Sequence, residues 1–114
     1  LDFWGASCGP CLEAFPHNDA VAKKLGAEVA FLAVHVQDTK ENFLRWRQKN
    51  PGYPSLRFVV DPAPLGQEVG TRLYKIFAQP TIYVIGKDGR IAKAFVGYVG
   101  PTPALENAIT AALG

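Results

Sequence analysis

The sequence has no methionine, only two cysteines and no large excess of either charge sign. Each scarcity excludes something. Without methionine, Leu1 is no translation start. An upstream segment that was cleaved or left out is therefore expected, a signal peptide or membrane anchor among the candidates. Two cysteines cannot supply the several bridges that hold a small secreted scaffold together. A net charge of +2 is too small to argue for nucleic acid or a membrane surface. No apolar run approaches the ~20 residues of a membrane-crossing helix. What is present is 48% hydrophobic and 19% charged over 114 residues, enough to bury a core, and residues 1–114 read as one domain.

The pattern of apolar residues and breakers divides the chain into alternating elements. "LDFWG" (1–5) reads as a short buried strand closed by glycine. From Gly9 to about Leu25 the spacing of Leu12, Phe15, Val21 and Leu25 predicts a helix, with Gly26 as its stop. "EVAFLAVHV" (28–36) predicts a central strand. Asp38 or Thr39 is placed to cap the next helix, "KENFLRWRQK", which ends at the breaker cluster "NPGYP". "LRFVV" (56–60) predicts a strand closed by "DPAP", and a helix is expected from about Leu65 to Ile76. "TIYVI" (81–85) and "IAKAFVGY" (91–98) flank "GKDG" as a hairpin, and a last helix follows Pro101 to Pro103. The order is β-α-β-α-β-α-β-β-α. Helices between strands make the first three strands parallel, and the hairpin adds antiparallel strands at one side. The fold class is an α/β three-layer sandwich with a mixed central sheet.

Both cysteines lie in "ASCGPCLEAFP" (6–16). A structural zinc site needs four ligands, and His17 and His35, the other soft candidates, match no zinc spacing. An iron–sulfur cluster wants four thiolates. A purely structural bridge between Cys8 and Cys11 would close too small a ring to constrain the unfolded chain much. A redox pair fits better. Cys8 falls at the start of a helix, where orphan N–H groups and the helix dipole favour a thiolate. Cys11 lies one turn on, and Pro10 suits the first turn.

These residues resemble the thioredoxin superfamily. "DFWGASCGPC" resembles its strand-to-active-site segment, Pro16 its helix-kinking proline, and "AQPTIYVIGKDGRI" the cis-proline that precedes its antiparallel hairpin. The insertion "SLRFVVDPAPLGQEVGTRLYKIF" makes the chain similar to the TlpA/ResA-like thiol-disulfide oxidoreductase branch. The resemblance implies that Cys8 is the nucleophile, that Cys11 resolves the mixed disulfide and that Asp2 helps move a proton at Cys11. It implies a cis Pro80 beside Gln79, and a partner-facing rim made of Ser7, Gly9, Pro10, Gln79 and Pro80. Ser7 stands where the family usually has tryptophan, and it could instead cap the helix.

No metal and no organic cofactor is expected, because the cysteine pair holds the electrons. The implied partners are disulfide- or dithiol-containing proteins and an upstream electron donor, with no nucleic acid, and the protein is expected to be a monomer. The implied location is periplasmic, membrane-anchored or secreted in a bacterium, with the cytoplasm as the alternative. Two other functions stay open from sequence: a peroxiredoxin-type thiol peroxidase, and a non-catalytic module that uses the thiols to bind metal or haem. Glu13, Arg45, Arg47 and Lys49 read as solvated charges, and His17 and His35 as structural. Trp46, if exposed, would mark a contact surface.

Overall fold

A computed structural model describes residues 1–61, 63–64 and 67–114. Five strands form one sheet: β1 (Asp2–Trp4), β2 (Leu32–His35), β3 (Arg57–Val60), β4 (Thr81–Ile85) and β5 (Ile91–Val96). Four helices connect or follow them: α1 (Gly9–Leu25), α2 (Lys40–Lys49), α3 (Val69–Arg72) and α4 (Ala104–Leu113). The sheet order is β3-β2-β1-β4-β5. β1 and β3 pair with β2 in parallel, and β4 runs antiparallel to both β1 and β5. The expected element order and mixed sheet are therefore observed.

Alternation along the strands divides the core. Trp4 and Ala33 face one way and pack with Phe15 of α1, Phe43 of α2, and Leu105 and Ile109 of α4. Phe3 and Val36 face the other way, against Ile76, Tyr74 and Tyr83. Trp4 is fully buried at the centre of an aromatic cluster. Its ring lies 4.9 Å from Phe15, 4.8 Å from Trp46 and 5.8 Å from Phe58, centroid to centroid.

Three local expectations are corrected. The strand expected over 28–36 is confined to Leu32–His35, because a 3-10 turn at Gly26–Glu28 follows the left-handed Gly26 that ends α1. Of the helix expected over 65–76, Leu65 and Gly66 lie outside the described residues, and only Val69–Arg72 is α-helical. Lys75 at φ 58° ends that segment. Its glycine seats it on the sheet: a Cβ at Gly70 would stand 2.9 Å from the Phe3 ring. The last strand stops at Val96, where Gly97 turns left-handed and donates to the Pro80 carbonyl at 2.8 Å.

Candidate active site

The cysteine pair sits where β1 passes into α1. The Gly5 carbonyl accepts the Cys8 N–H at 3.1 Å, and the Cys8 carbonyl accepts the Leu12 N–H at 3.2 Å. These bonds turn the chain so that Cys8 itself is the N-cap, with its Sγ accepting the Cys11 N–H at 3.2 Å. Ser7 is therefore not the cap. It is exposed and lies one residue too early, because Gly9 is the first helical residue. Pro10 lies in the first turn, where its missing N–H costs no helical bond.

Cys8 and Cys11 are joined in a disulfide, with their Cα atoms 5.3 Å apart. Cys8 is half-buried, whereas Cys11 has 0% of its surface exposed and lies in the main core. The pair is thus asymmetric: Cys8 is partly exposed at a helix N-terminus and Cys11 is not exposed at all.

The proline loop lies against the cysteine loop. The Gln79–Pro80 peptide is cis, and Pro80 is buried. A Cβ at Gly5 would stand 2.8 Å from Gln79 Oε1, so the bare backbone at Gly5 leaves room for the Gln79 carboxamide. Gly9 and Pro10 are exposed beside the disulfide.

Asp2 is fully buried beneath α1. Asn18 Nδ2 donates to Asp2 Oδ2 at 3.3 Å, while Oδ1 has no hydrogen-bond partner. Burial pushes the carboxyl up to about 7, against the lowering effect of the Asn18 bond. Asn18 lies seven residues, two helical turns, beyond Cys11 on the same face of α1. Asp2 thus sits under the stripe that carries Cys11, but its hydrogen bond goes to Asn18 rather than to a cysteine. Sequence reasoning missed Asn18. The signal available was a polar residue on the otherwise apolar stripe of Cys11, Phe15 and Ala22.

The buried carboxyl predicts a pH effect on stability. Between about pH 4 and pH 7 the folded protein holds a proton that the unfolded chain has released, so stability falls as pH rises through that window and levels off above it. A shift of this size is worth about 4 kcal/mol. Asp2→Asn should match wild type near pH 4 and exceed it by a few kcal/mol at pH 8, as checked by urea midpoints across that range. Parallel pH profiles for the two proteins would show that Asp2 does not carry the effect.

Asp38 is a second carboxylate that sequence reasoning read only as a possible cap. Thr39 caps α2 by accepting the Asn42 N–H at 3.1 Å. Asp38 Oδ1 accepts from Thr39 N at 2.8 Å and Asn42 Nδ2 at 2.7 Å, and Oδ2 from Ala6 N at 3.3 Å, with His35 Nε2 3.1 Å away. Burial pushes this carboxyl up, but the bonds from Asn42, Thr39, His35 and Ala6 outweigh it and hold it below its ordinary range.

Trp46 is not the exposed aromatic that would mark a contact surface. It is half-buried against Trp4, Phe15 and Phe58. Arg47 is not a freely solvated charge either: its guanidinium stacks 4.4 Å over Phe58 and donates to the carbonyls of Asn50 and Gly52. Among the described residues, no group of three or more His, Cys, Asp or Glu is arranged to hold a metal ion.

No protein-family model matches the sequence. Over 104 residues the chain is 27% identical to the thiol-disulfide oxidoreductase ResA of Bacillus cereus, covering 85% of this chain and 53% of that protein. The chain thus spans about half the length of the curated relatives it matches. Among solved structures, it superposes with a TM-score of 0.75 and 28% identity on the pneumococcal exposed lipoprotein thioredoxin of Streptococcus pneumoniae, over 99% of this chain and 80% of that one. The match to a Chlorobium tepidum protein assigned as the thiol:disulfide interchange protein DsbE has a TM-score of 0.79 and 31% identity, over 100% of this chain and 78% of that one. Identity at that level across the whole chain, on the sheet order observed here and with the disulfide at the head of α1, means that this chain belongs to the TlpA/ResA-like branch of the thioredoxin superfamily.

Proposed function

We propose that this protein is a protein-disulfide oxidoreductase working outside the bacterial cytoplasm. The observation that carries the reading is the asymmetric pair, with Cys8 accessible at a helix N-terminus and Cys11 buried one turn behind it. In the reduced protein the N–H groups and dipole of α1 favour the Cys8 thiolate. That thiolate attacks one sulfur of a partner disulfide, forming a mixed disulfide and expelling the partner's other sulfur as a thiolate. Cys11 then loses its proton and attacks Cys8 Sγ. The Cys8–Cys11 disulfide forms, and the partner leaves with both thiols reduced, having gained two electrons.

Asp2 is the buried group suited to receive the Cys11 proton, since a carboxyl titrating at about 7 accepts and returns a proton near neutral pH. Ser7, Gly9 and Pro10 are exposed around Cys8, and the backbone of Gln79 and Pro80 supplies an edge on which an extended partner segment can lie. A dithiol donor upstream returns the two electrons. One chain holds both cysteines, so the monomer suffices for the cycle. The extracytoplasmic setting is supported by the relative described as an exposed lipoprotein.

Stoichiometric transfer is the direct test. Reduced protein mixed with a model protein disulfide should lose two thiols per chain while the target gains two, and an absence of transfer would remove this reading. Limited alkylation by iodoacetamide at pH 7 should label Cys8 well before Cys11. Preferential labelling of Cys11 would reverse the two roles.

A further inference from the structure

Two consecutive residues between β2 and α2 touch both walls of the redox site. Asp38 reaches the cysteine loop: its Oδ2 accepts the Ala6 N–H, two residues before Cys8, across 32 positions of sequence. Gln37 reaches the proline loop: its Oε1 accepts from Gln79 Nε2 at 2.8 Å, across 42 positions. Both grips are themselves fixed. Asp38 is held by the start of α2 and by His35, which is buried against Trp4 and Phe43. Gln37 adopts a left-handed φ of 56°, its N–H donates to the Glu68 carboxylate, and its Nε2 lies 3.4 Å from Thr71 Oγ1.

We infer that Gln37 and Asp38 form a positioning bracket for the exchange reaction: Asp38 sets the approach of the cysteine loop to the α1 N-terminus, and Gln37 sets the proline loop that the partner lies on. The physical reason lies in the sheet order. β2 neighbours β1, so the loop after β2 emerges beside the loop after β1; the proline loop leads into β4 on the other side of β1. Among the side-chain hydrogen bonds of the described residues, those of Gln37 and Asp38, just past the end of β2, reach both loops. The cap bond from Cys11 N to Cys8 Sγ requires Cys8 in place, and the Gly5–Ala6 turn that delivers it is gripped from outside by Asp38 alone among the side-chain hydrogen bonds of the described residues.

The Gln37 half of this inference rests on the proposed exchange activity, whereas the Asp38 half can be read without it. The chain as it stands is compared with Asp38→Ala, Asp38→Asn and Gln37→Ala, at a temperature where each is folded. Two rates are read: alkylation of reduced Cys8 by iodoacetamide at pH 7, and kcat and KM for reduction of a peptide disulfide. Asp38→Ala should slow alkylation about tenfold, inside the ~100-fold that a 1 Å misplacement can cost. Asp38→Asn, whose single amide oxygen can serve Ala6 or the start of α2 but not both, should recover only part of that loss. Gln37→Ala should leave alkylation within about twofold and raise KM roughly fivefold with kcat little changed, the signature of lost partner positioning.

Faster alkylation in Asp38→Ala would overturn the bracket, because it would show the carboxylate acting by repelling the thiolate rather than by holding the loop. Asp38→Asn as slow as Asp38→Ala, or Gln37→Ala with unchanged KM, would overturn the corresponding grip. If the wild type reduces no disulfide at all, the exchange reading falls, while the alkylation contrast still decides the Asp38 half.

Discussion

Cys11→Ser is expected to stop on its partners. The variant keeps the Cys8 thiolate, so it attacks a disulfide and forms the mixed species, but no thiol remains one turn away to resolve it. Covalent adducts that reductant releases should accumulate and be identifiable by mass spectrometry. Multiple turnover should fall by about three orders of magnitude or more, because an oriented intramolecular group acts with an effective molarity of ~10⁵ M or higher. Cys8→Ser should trap far less, since Cys11 has 0% of its surface exposed and does not occupy the cap. The wild type should show almost no adduct. Equal trapping by the two variants would contradict the division of labour. Absence of trapping by either, in an extract rich in disulfide proteins, would favour a binding module.

Trp4→Ala carries the largest expected loss of stability. The indole is fully buried and touches the rings of Phe15, His35, Phe43, Trp46 and Phe58, so its removal opens a cavity that several elements line at once. A loss of about 3–5 kcal/mol is expected. For a domain of this size that lowers the melting temperature by some 12–25 °C, since each kcal/mol moves it by roughly 4–5 °C. Trp4→Phe should cost much less, because it fills part of the space and removes an indole Nε1 that has no hydrogen-bond partner. Trp46→Ala should fall between them, its ring being only half-buried. Thermal or urea unfolding of the three variants checks the order. A Trp4→Ala protein within about 1 kcal/mol of wild type would mean that the cluster collapses onto the gap without cost.

Much of the architecture was legible because it is local. The bounds of α1, Gly9 to Leu25, follow from its apolar spacing and from the glycine at its end. The hairpin follows from two apolar runs around "GKDG", and the parallel pairing of β1, β2 and β3 from the helices between them. The redox pair was legible because two cysteines one helical turn apart at a helix start have few other uses. The length of α3 was not legible, since the close approach of Gly70 to Phe3 and the left-handed Lys75 are tertiary and backbone facts rather than periodicities. Nor was the burial of Trp46, whose partners Trp4, Phe15 and Phe58 come from three other elements.

By itself, then, the sequence determined the element order, the Cys8–Cys11 pair and a carboxylate, Asp2, in an apolar strand. Those depend on spacing along the chain, and spacing is all that a sequence displays directly. The tertiary structure alone decided that Asn18 meets Asp2, that Asp38 holds the loop before Cys8 and that Gln37 holds the loop before Pro80. Each of those bonds joins residues 16 to 42 positions apart, and no local propensity encodes such a distance. The first exists because α1 packs on β1; the other two exist because β1 lies between β2 and β4, which brings the loop before α1 and the loop after β2 to one end of the sheet beside the segment that enters β4.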